Sequence, residues 1–233
     1  MADVVRNKDY TNLYTNGFSF KKVGFYNNKF CNWNKRIKHL EQVEFIRRYW
    51  SSDCYWCDFP IGSGRLADSF GSVNLVGMDI SDGFIDFNRR RNRFCVKQDL
   101  FNPGGNWFGK FDLVTCMHTL FAFDDYMVII SNLIKLLNVD GVLVFDIPRT
   151  VDKEKLVVFF KDNNCELLEI KKHDFWDNPF FQCLRRNRFV DRVFWRLLLQ
   201  YFYRFFPRFF VDIQRDMSDE YFCKFLVAVR RNS

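Results

Sequence analysis

Cys54-Tyr-Trp-Cys57-Asp58-Phe-Pro60-Ile-Gly62-Ser-Gly64-Arg65-Leu-Ala-Asp-Ser-Phe70 is the stretch on which the reading of the fold turns. Cys54–Phe59 is a short apolar and aromatic run that reads as a buried strand, and Leu66–Phe70 reads as a short helix. Between them stand two glycines, the residues needed where backbone turns sharply and lies close against a ligand. The amides that open the helix can face a negative group.

Short apolar runs and helical patterns alternate outward from this unit. Upstream, Ile37, Leu40, Val43, Phe45, Ile46 and Tyr49 recur at helical spacing and predict a helix over Asn34–Trp50. Downstream, strands are expected at Asn74–Met78, Phe94–Lys97, Phe111–Cys116 and Val142–Asp146. Helices are expected at Gly83–Arg91, Tyr126–Leu137 and Lys153–Lys161. Glu166–Lys172 and Tyr221–Val229 read as two last strands. Strands that alternate with helices imply a doubly wound α/β fold. The expected sheet is seven-stranded and mainly parallel, with helices on both faces.

No repeat or Gly/Pro/Ser linker divides the 233 residues, a length that suits one large domain. The expected layout is an N-terminal arm and helix over 1–50, a core over 51–173, a helical insert over 174–219 and a last strand over 220–233. A hydrophobic share of 48% excludes the disordered class. The net charge of +7 favours an anionic partner: nucleic acid, a phosphorylated glycan or an anionic lipid surface. The N-terminus lacks the apolar stretch of a signal peptide, and no uncharged apolar run approaches a bilayer span, so a cytoplasmic location is expected. Of eight cysteines, only Cys54 and Cys57 form a CxxC pair. That pair falls in a strand where positions three apart point to opposite faces. Reduced, buried thiols and no metal site are therefore expected.

Three acids stand near the ends of successive strands. Asp58 lies four residues before Gly62, placed to reach an ammonium group. Asp79 ends Leu75-Val-Gly-Met-Asp79-Ile80, placed to accept ribose hydroxyls, and Asp99 follows the third strand. One such Asp alone reads as a cap or turn residue. Three at the C-terminal rim of an open sheet point to a ligand. The segment Gly62-Ser-Gly64-Arg65-Leu-Ala also fits the dinucleotide fingerprint, so a nicotinamide-dependent reductase stays open on the residues alone.

With these pieces in this order, the chain resembles the class I S-adenosylmethionine-dependent methyltransferases, over about residues 34–148. The resemblance implies a Rossmann-like fold and S-adenosylmethionine as cofactor. It implies that Asp58 and the Gly62/Gly64 loop hold the methionine part, Asp79 the ribose, Asp99 the adenine amino group and the Leu100 backbone the adenine ring. Cys116 and Met117 would line the methionine side, with Pro60, Arg65 and Ile80 completing the cofactor set. Pro60 replaces the glycine usual in the family's loop, a version similar to that of small-molecule and glycan methyltransferases.

His118, in Thr115-Cys-Met-His118-Thr, follows strand four and is the candidate general base, with a plain structural histidine as the alternative. His173 closes the sixth strand on the same rim and is a second candidate. His39 is expected to be merely exposed. The family's amino-methylating branch carries an Asn/Asp-Pro-Pro-aromatic motif after strand four. Cys-Met-His-Thr stands there instead, and Asp146-Ile-Pro148 one strand later does not replace it, so an oxygen acceptor is expected.

The insert carries seven Arg against one acid between 185 and 208. Arg188, Arg192 and Arg196 recur every fourth residue and so form one helical stripe. The topology implied by the resemblance puts this segment over the acceptor site. The stripe reads either as a solvated face of a lid or as a fork for an anionic acceptor, a sugar or glycan above all. Peripheral contact with an anionic membrane is a further version. An RNA or protein methyltransferase, and a silent membrane- or partner-binding scaffold, are the alternatives.

Overall fold

The computed structural model of the protein describes residues 33–71, 74–148, 151–173 and 224–232. The expected arm over 1–30, the insert over 174–219 with Arg188, Arg192 and Arg196, and the start of the last expected strand lie outside the described residues.

The elements run α1 (Trp33–Ile46), β1 (Trp56–Asp58), α2 (Arg65–Phe70), β2 (Leu75–Asp79), α3 (Asp82–Arg89), β3 (Cys95–Lys97), β4 (Phe111–Cys116), α4 (Tyr126–Leu136), β5 (Leu137–Pro148), α5 (Lys153–Asp162), β6 (Cys165–His173) and β7 (Lys224–Arg231). One seven-stranded sheet results, in the order β3-β2-β1-β4-β5-β7-β6. β1 pairs in parallel with both β2 and β4. β7 lies antiparallel between β5 and β6.

The alternation of side chains along each strand divides the core in two. Cys57, Val114, Cys116, Leu143 and Phe145 share one face with Ile129, Ile130 and Leu133 of α4 and with Leu156 and Phe160 of α5. Trp56, Leu113, Val142 and Val144 share the other with Phe45 and Ile46 of α1, Leu66 and Phe70 of α2, and Ile85 of α3. Cys54 and Cys57 accordingly belong to opposite faces, and the five described cysteines are buried free thiols. β1 and β2 are buried at every residue, as strands covered on both faces must be, which is why they read as continuous apolar runs.

The elements sit where the sequence places them, with two departures. α1 ends at Ile46 rather than Trp50, because Arg48 and Tyr49 turn away to converge on Glu169 of β6 at 2.8 and 3.1 Å. β5 begins at Leu137, directly after α4, where a turn over Asn138–Gly141 is expected. Leu136 and Leu137 are both fully buried and carry the chain straight onto Phe111 of β4. A register shift before Leu113 and a left-handed Asp140 (φ 64°) absorb the extra residues.

The turn between β1 and α2 is fixed from three sides. The Phe59 N–H donates to the Thr115 carbonyl and the Ile61 N–H to the Met78 carbonyl, each at 2.8 Å. Fully buried Asn88 of α3 donates through Nδ2 to the Gly62 carbonyl at 2.8 Å and accepts Arg93 Nη1 through Oδ1 at 2.8 Å. Gly64 is left-handed (φ 72°), and a Cβ there would overlap Arg93 Nη1 and Asn88 Oδ1. Gly64→Ala should therefore lose about 2 kcal/mol from the backbone conformation and the displaced Arg93. A melting temperature lower by roughly 4–8 °C is the expected reading in a thermal unfolding scan, and an unchanged one would contradict this account.

Candidate functional site

The C-terminal ends of β1 to β4 surround a cavity of about 240 Å³. Its floor is acidic. Asp58, 2% exposed, is reached by a chain of hydrogen bonds. Trp56 Nε1–H donates to Thr115 Oγ1 at 2.9 Å, and the Thr115 hydroxyl donates to Asp58 Oδ1 at 2.7 Å. Burial pushes the Asp58 carboxyl up to about 7, against the pull of the Thr115 hydroxyl. Asp79, equally buried, accepts the Gly62 N–H on Oδ2 and the Ser81 N–H on Oδ1, both at 2.9 Å. Burial lifts it to about 6 in spite of those two donors and the Ile80 N–H. Asp79 thus does two jobs, ending β2 and holding the glycine turn.

Asp99 stands past β3, in an isolated bridge with Asn102, and its Oδ1 accepts the Phe101 N–H at 3.0 Å. Asn132 of α4 donates to the Leu100 and Phe101 carbonyls at 3.1 and 2.9 Å, so this loop is braced from below. Phe101 packs edge-on against Phe123 at 5.3 Å, and both line the cavity with Leu100, Ile80 and Phe84.

The opposite end is built around His118. Its backbone is left-handed (φ 57°), an uncommon state outside glycine that persists when its surroundings fix it. The fixing group is Asp146 of β5, 1% exposed, whose Oδ1 accepts the His118 N–H at 2.7 Å while Oδ2 stands 3.2 Å from the ring Nδ1. The other ring nitrogen, Nε2, lies 2.9 Å from the Gln42 amide nitrogen. An amide nitrogen only donates, so the Gln42 contact takes the Nε2 lone pair and leaves the ring proton on Nδ1, the nitrogen that faces Asp146. An imidazole so held is built to accept a proton at Nε2 beside a carboxylate that stabilises the resulting charge.

Of the expected site residues, the cavity wall brings together Asp58, Pro60, Gly62, Arg65, Asp79, Ile80, Asp99, Leu100, Met117 and His118. Among the described side chains two others, Cys116 and Gly64, are not part of it. Cys116 is fully buried on the α4 face of the sheet, where burial raises its thiol well above the ordinary value. Strand alternation gives the cavity to Met117 instead. Gly64 backs the turn against Arg93 and Asn88 rather than facing the cavity. His173 ends β6, the outer edge strand, with β5 and β7 between it and β4.

His39 corrects a further expectation. It lines the cavity, with Nε2 2.8 Å from Ser69 Oγ. Burial first, then the neighbouring Arg65 and His118, hold it down at about 4, so it is neutral near pH 7. Gln42 and Asp146 went unread in the sequence. Asp146 carried a signal, an acid inside the apolar run Val142–Ile147; Gln42 carried only its place one turn after His39 on α1.

The arrangement suits S-adenosylmethionine. Asp79 is a buried carboxylate at the end of β2 and on the cavity wall, a group able to accept ribose hydroxyls. Among the described residues Asp58 accepts one hydrogen bond, leaving buried negative charge for an ammonium group. The apolar walls at Leu100, Phe101 and Phe123 suit a flat base.

Comparison with known proteins agrees. A family model described as a methyltransferase domain matches residues 33–200. No curated protein matches the sequence. Among solved structures, the chain is similar to magnesium protoporphyrin IX methyltransferase from Synechocystis PCC 6803 with bound SAM. That likeness has a TM-score of 0.62 at 15% identity and covers 100% of both chains. Geranyl diphosphate methyltransferase in complex with GPP and sinefungin gives a TM-score of 0.57 at 12% identity, over 96% of this chain and 98% of that one. A methyltransferase fold from Bacillus halodurans C-125 gives 0.54 at 15%, over 83% and 100%. The structural likenesses speak for the fold, and the family model, which spans most of the chain, supplies the descent: the chain belongs to the class I S-adenosylmethionine-dependent methyltransferases.

Proposed function

We propose that the enzyme methylates a hydroxyl oxygen of an anionic small-molecule acceptor, with sugars and glycans the leading class and His118 as general base. One observation carries the reading: His118 is fixed at the cavity end by Asp146 on one side and Gln42 on the other, with Nε2 as its proton acceptor. A nitrogen acceptor that is already nucleophilic needs no such base, whereas a hydroxyl must lose its proton. The anionic character is supported by the net charge of +7 and by the Arg188, Arg192 and Arg196 stripe read in the sequence. It also accords with the geranyl diphosphate in the name of one structural relative.

When bound, the cofactor supplies an electrophilic methyl group on a sulfonium. The chain's own residues do the rest. Asp58 and Asp79 hold the cofactor's cationic and ribose ends, and Leu100, Phe101 and Phe123 exclude water from its base. His118 takes the acceptor's proton at Nε2, and the imidazolium that forms is stabilised by Asp146, 3.2 Å from Nδ1.

His118→Ala should lower turnover by roughly 10²–10⁴-fold with cofactor affinity nearly unchanged. Near-normal turnover of that variant across pH 6–9 would remove the base from the mechanism. Asp79→Ala should weaken S-adenosylmethionine binding by about 2 kcal/mol or more, since ribose hydroxyls lose a charged acceptor. Titration calorimetry showing wild-type affinity in this variant would overturn the ribose assignment.

The two buried carboxyls also set a pH dependence. Raised to about 7 and about 6 in the free enzyme, they bind more protons folded than unfolded across the interval above the ordinary Asp value. Stability of the free enzyme should therefore fall as pH rises through that interval to about 7. A cationic ligand favours the ionised carboxylates, so S-adenosylmethionine should bind more tightly as pH rises, by up to about tenfold per pH unit for each proton released, and level off above about 7. Asp58→Asn should flatten the upper part of this curve. Affinity constant from pH 5 to 8 in the native enzyme would show that Asp58 and Asp79 do not meet the cofactor.

A further inference from the structure

Gln42 lies on α1, 76 residues from His118 in sequence, and is 2% exposed. A buried primary amide needs partners for its donors, and the one recorded for Gln42 Nε2 is the Nε2 of His118. That nitrogen is also the only one of the ring able to receive a proton, because Nδ1 faces Asp146. The amide N–H thus occupies the place an acceptor hydroxyl must take. His39, one turn earlier on α1, lines the same end of the cavity and is neutral near pH 7. At that position α1 thus presents a neutral imidazole beside Gln42. The other charged groups facing this end are Asp146 from β5, Arg65 from α2 and the carboxylates Asp58, Asp79 and Asp99 across the cavity.

We propose that Gln42 is the positioning residue of the methyl-transfer site, setting the tautomer of His118 and holding its Nε2 until the acceptor hydroxyl takes over that hydrogen bond. The inference rests on His118 being the base. In the free enzyme Nε2 takes the Gln42 N–H, and Nδ1 stands against the Asp146 carboxylate. When an acceptor enters, its O–H exchanges with the amide N–H, and the ring needs neither to turn nor to change tautomer before it accepts the proton. A side chain without a donor leaves the ring pinned on one side only. A carboxylate at the same place demands a proton on Nε2, which removes the base.

The test uses full-length enzyme labelled with ¹⁵N in its three histidines, of which His118 is assigned by its absence from His118→Ala. Long-range ¹H–¹⁵N spectra report which ring nitrogen carries the proton. The wild type should show His118 protonated on Nδ1. Gln42→Met, of similar volume, should show a mixture of tautomers, and Gln42→Glu should show Nε2 protonated. Turnover should fall about tenfold or more in Gln42→Met and further in Gln42→Glu, with the affinity for S-adenosylmethionine unchanged within about twofold. The spectra need neither acceptor nor turnover. An unchanged His118 tautomer in both variants overturns the role of Gln42, while a changed tautomer with full turnover overturns His118 as base and the positioning role with it.

Discussion

β1 runs parallel to both β2 and β4, so the chain must leave its C-terminal end toward one neighbour and come back to the other flank only after β3. The helices after β1 and β2, α2 and α3, lie on one face, and α4, which follows β4, lies on the other. No backbone can fill the space where the two winding directions part, and an open crevice stands above β1 and β4. The candidate site residues of the described chain are arranged around that gap. The glycine turn borders it, Asp58 and Asp79 enter from two strand ends, and His118 enters from the loop after β4. Asp79 also accepts the Gly62 N–H, so the group that faces the ligand belongs to the bracing of the turn itself.

The walls of the gap are electrostatically unequal. On the cofactor side, two carboxylates are buried beyond what their hydrogen bonds compensate, and burial raises both. On the acceptor side, burial and the nearby Arg65 keep His39 neutral. The cavity thus attracts positive charge toward Asp58 and Asp79, while around His118 the neutral His39 and Gln42 stand with the Asp146 carboxylate and Arg65. The same burial destabilises the free fold near neutral pH, an effect a cationic ligand offsets, so ligand binding and stability are coupled through the same two groups.

Much of this was legible because its signals are local. Asp58, Gly62 and Gly64 lie within seven residues, and Asp79 ends a run of five buried residues that announces a strand. Seven strands and their order of appearance follow from the same apolar runs. The misreadings share a different cause. Cys116 and Met117 are adjacent, and only the phase of β4 against the α4 layer decides which one faces the cavity. At Gly64 the missing Cβ makes room for Arg93 and Asn88, a packing contact no spacing rule contains. His173 ends the edge strand β6, and the sequence does not show that β7 intervenes between β5 and β6. His39 and Gln42 were invisible as site residues, since a helix shows its apolar face in sequence but not which polar positions look over a cavity.

That difference follows the division of labour in the molecule. The cofactor end is made from consecutive segments, β1 to β3 and the turns after them, and it is fixed largely by backbone hydrogen bonds that many sequences can make. The acceptor end is assembled from remote ones: α1 supplies Gln42, β4 supplies His118 and β5 supplies Asp146, 28 residues beyond His118. Asp146 imposes the left-handed backbone that aims the ring, and Gln42 meets the ring on its other side. Neither contact touches Asp58 or Asp79, so on the proposed assignment substitutions on α1 would alter the acceptor end and leave the methyl donor's end in place. A fold arranged this way separates the end that a local motif reveals from the end that only side-chain geometry defines.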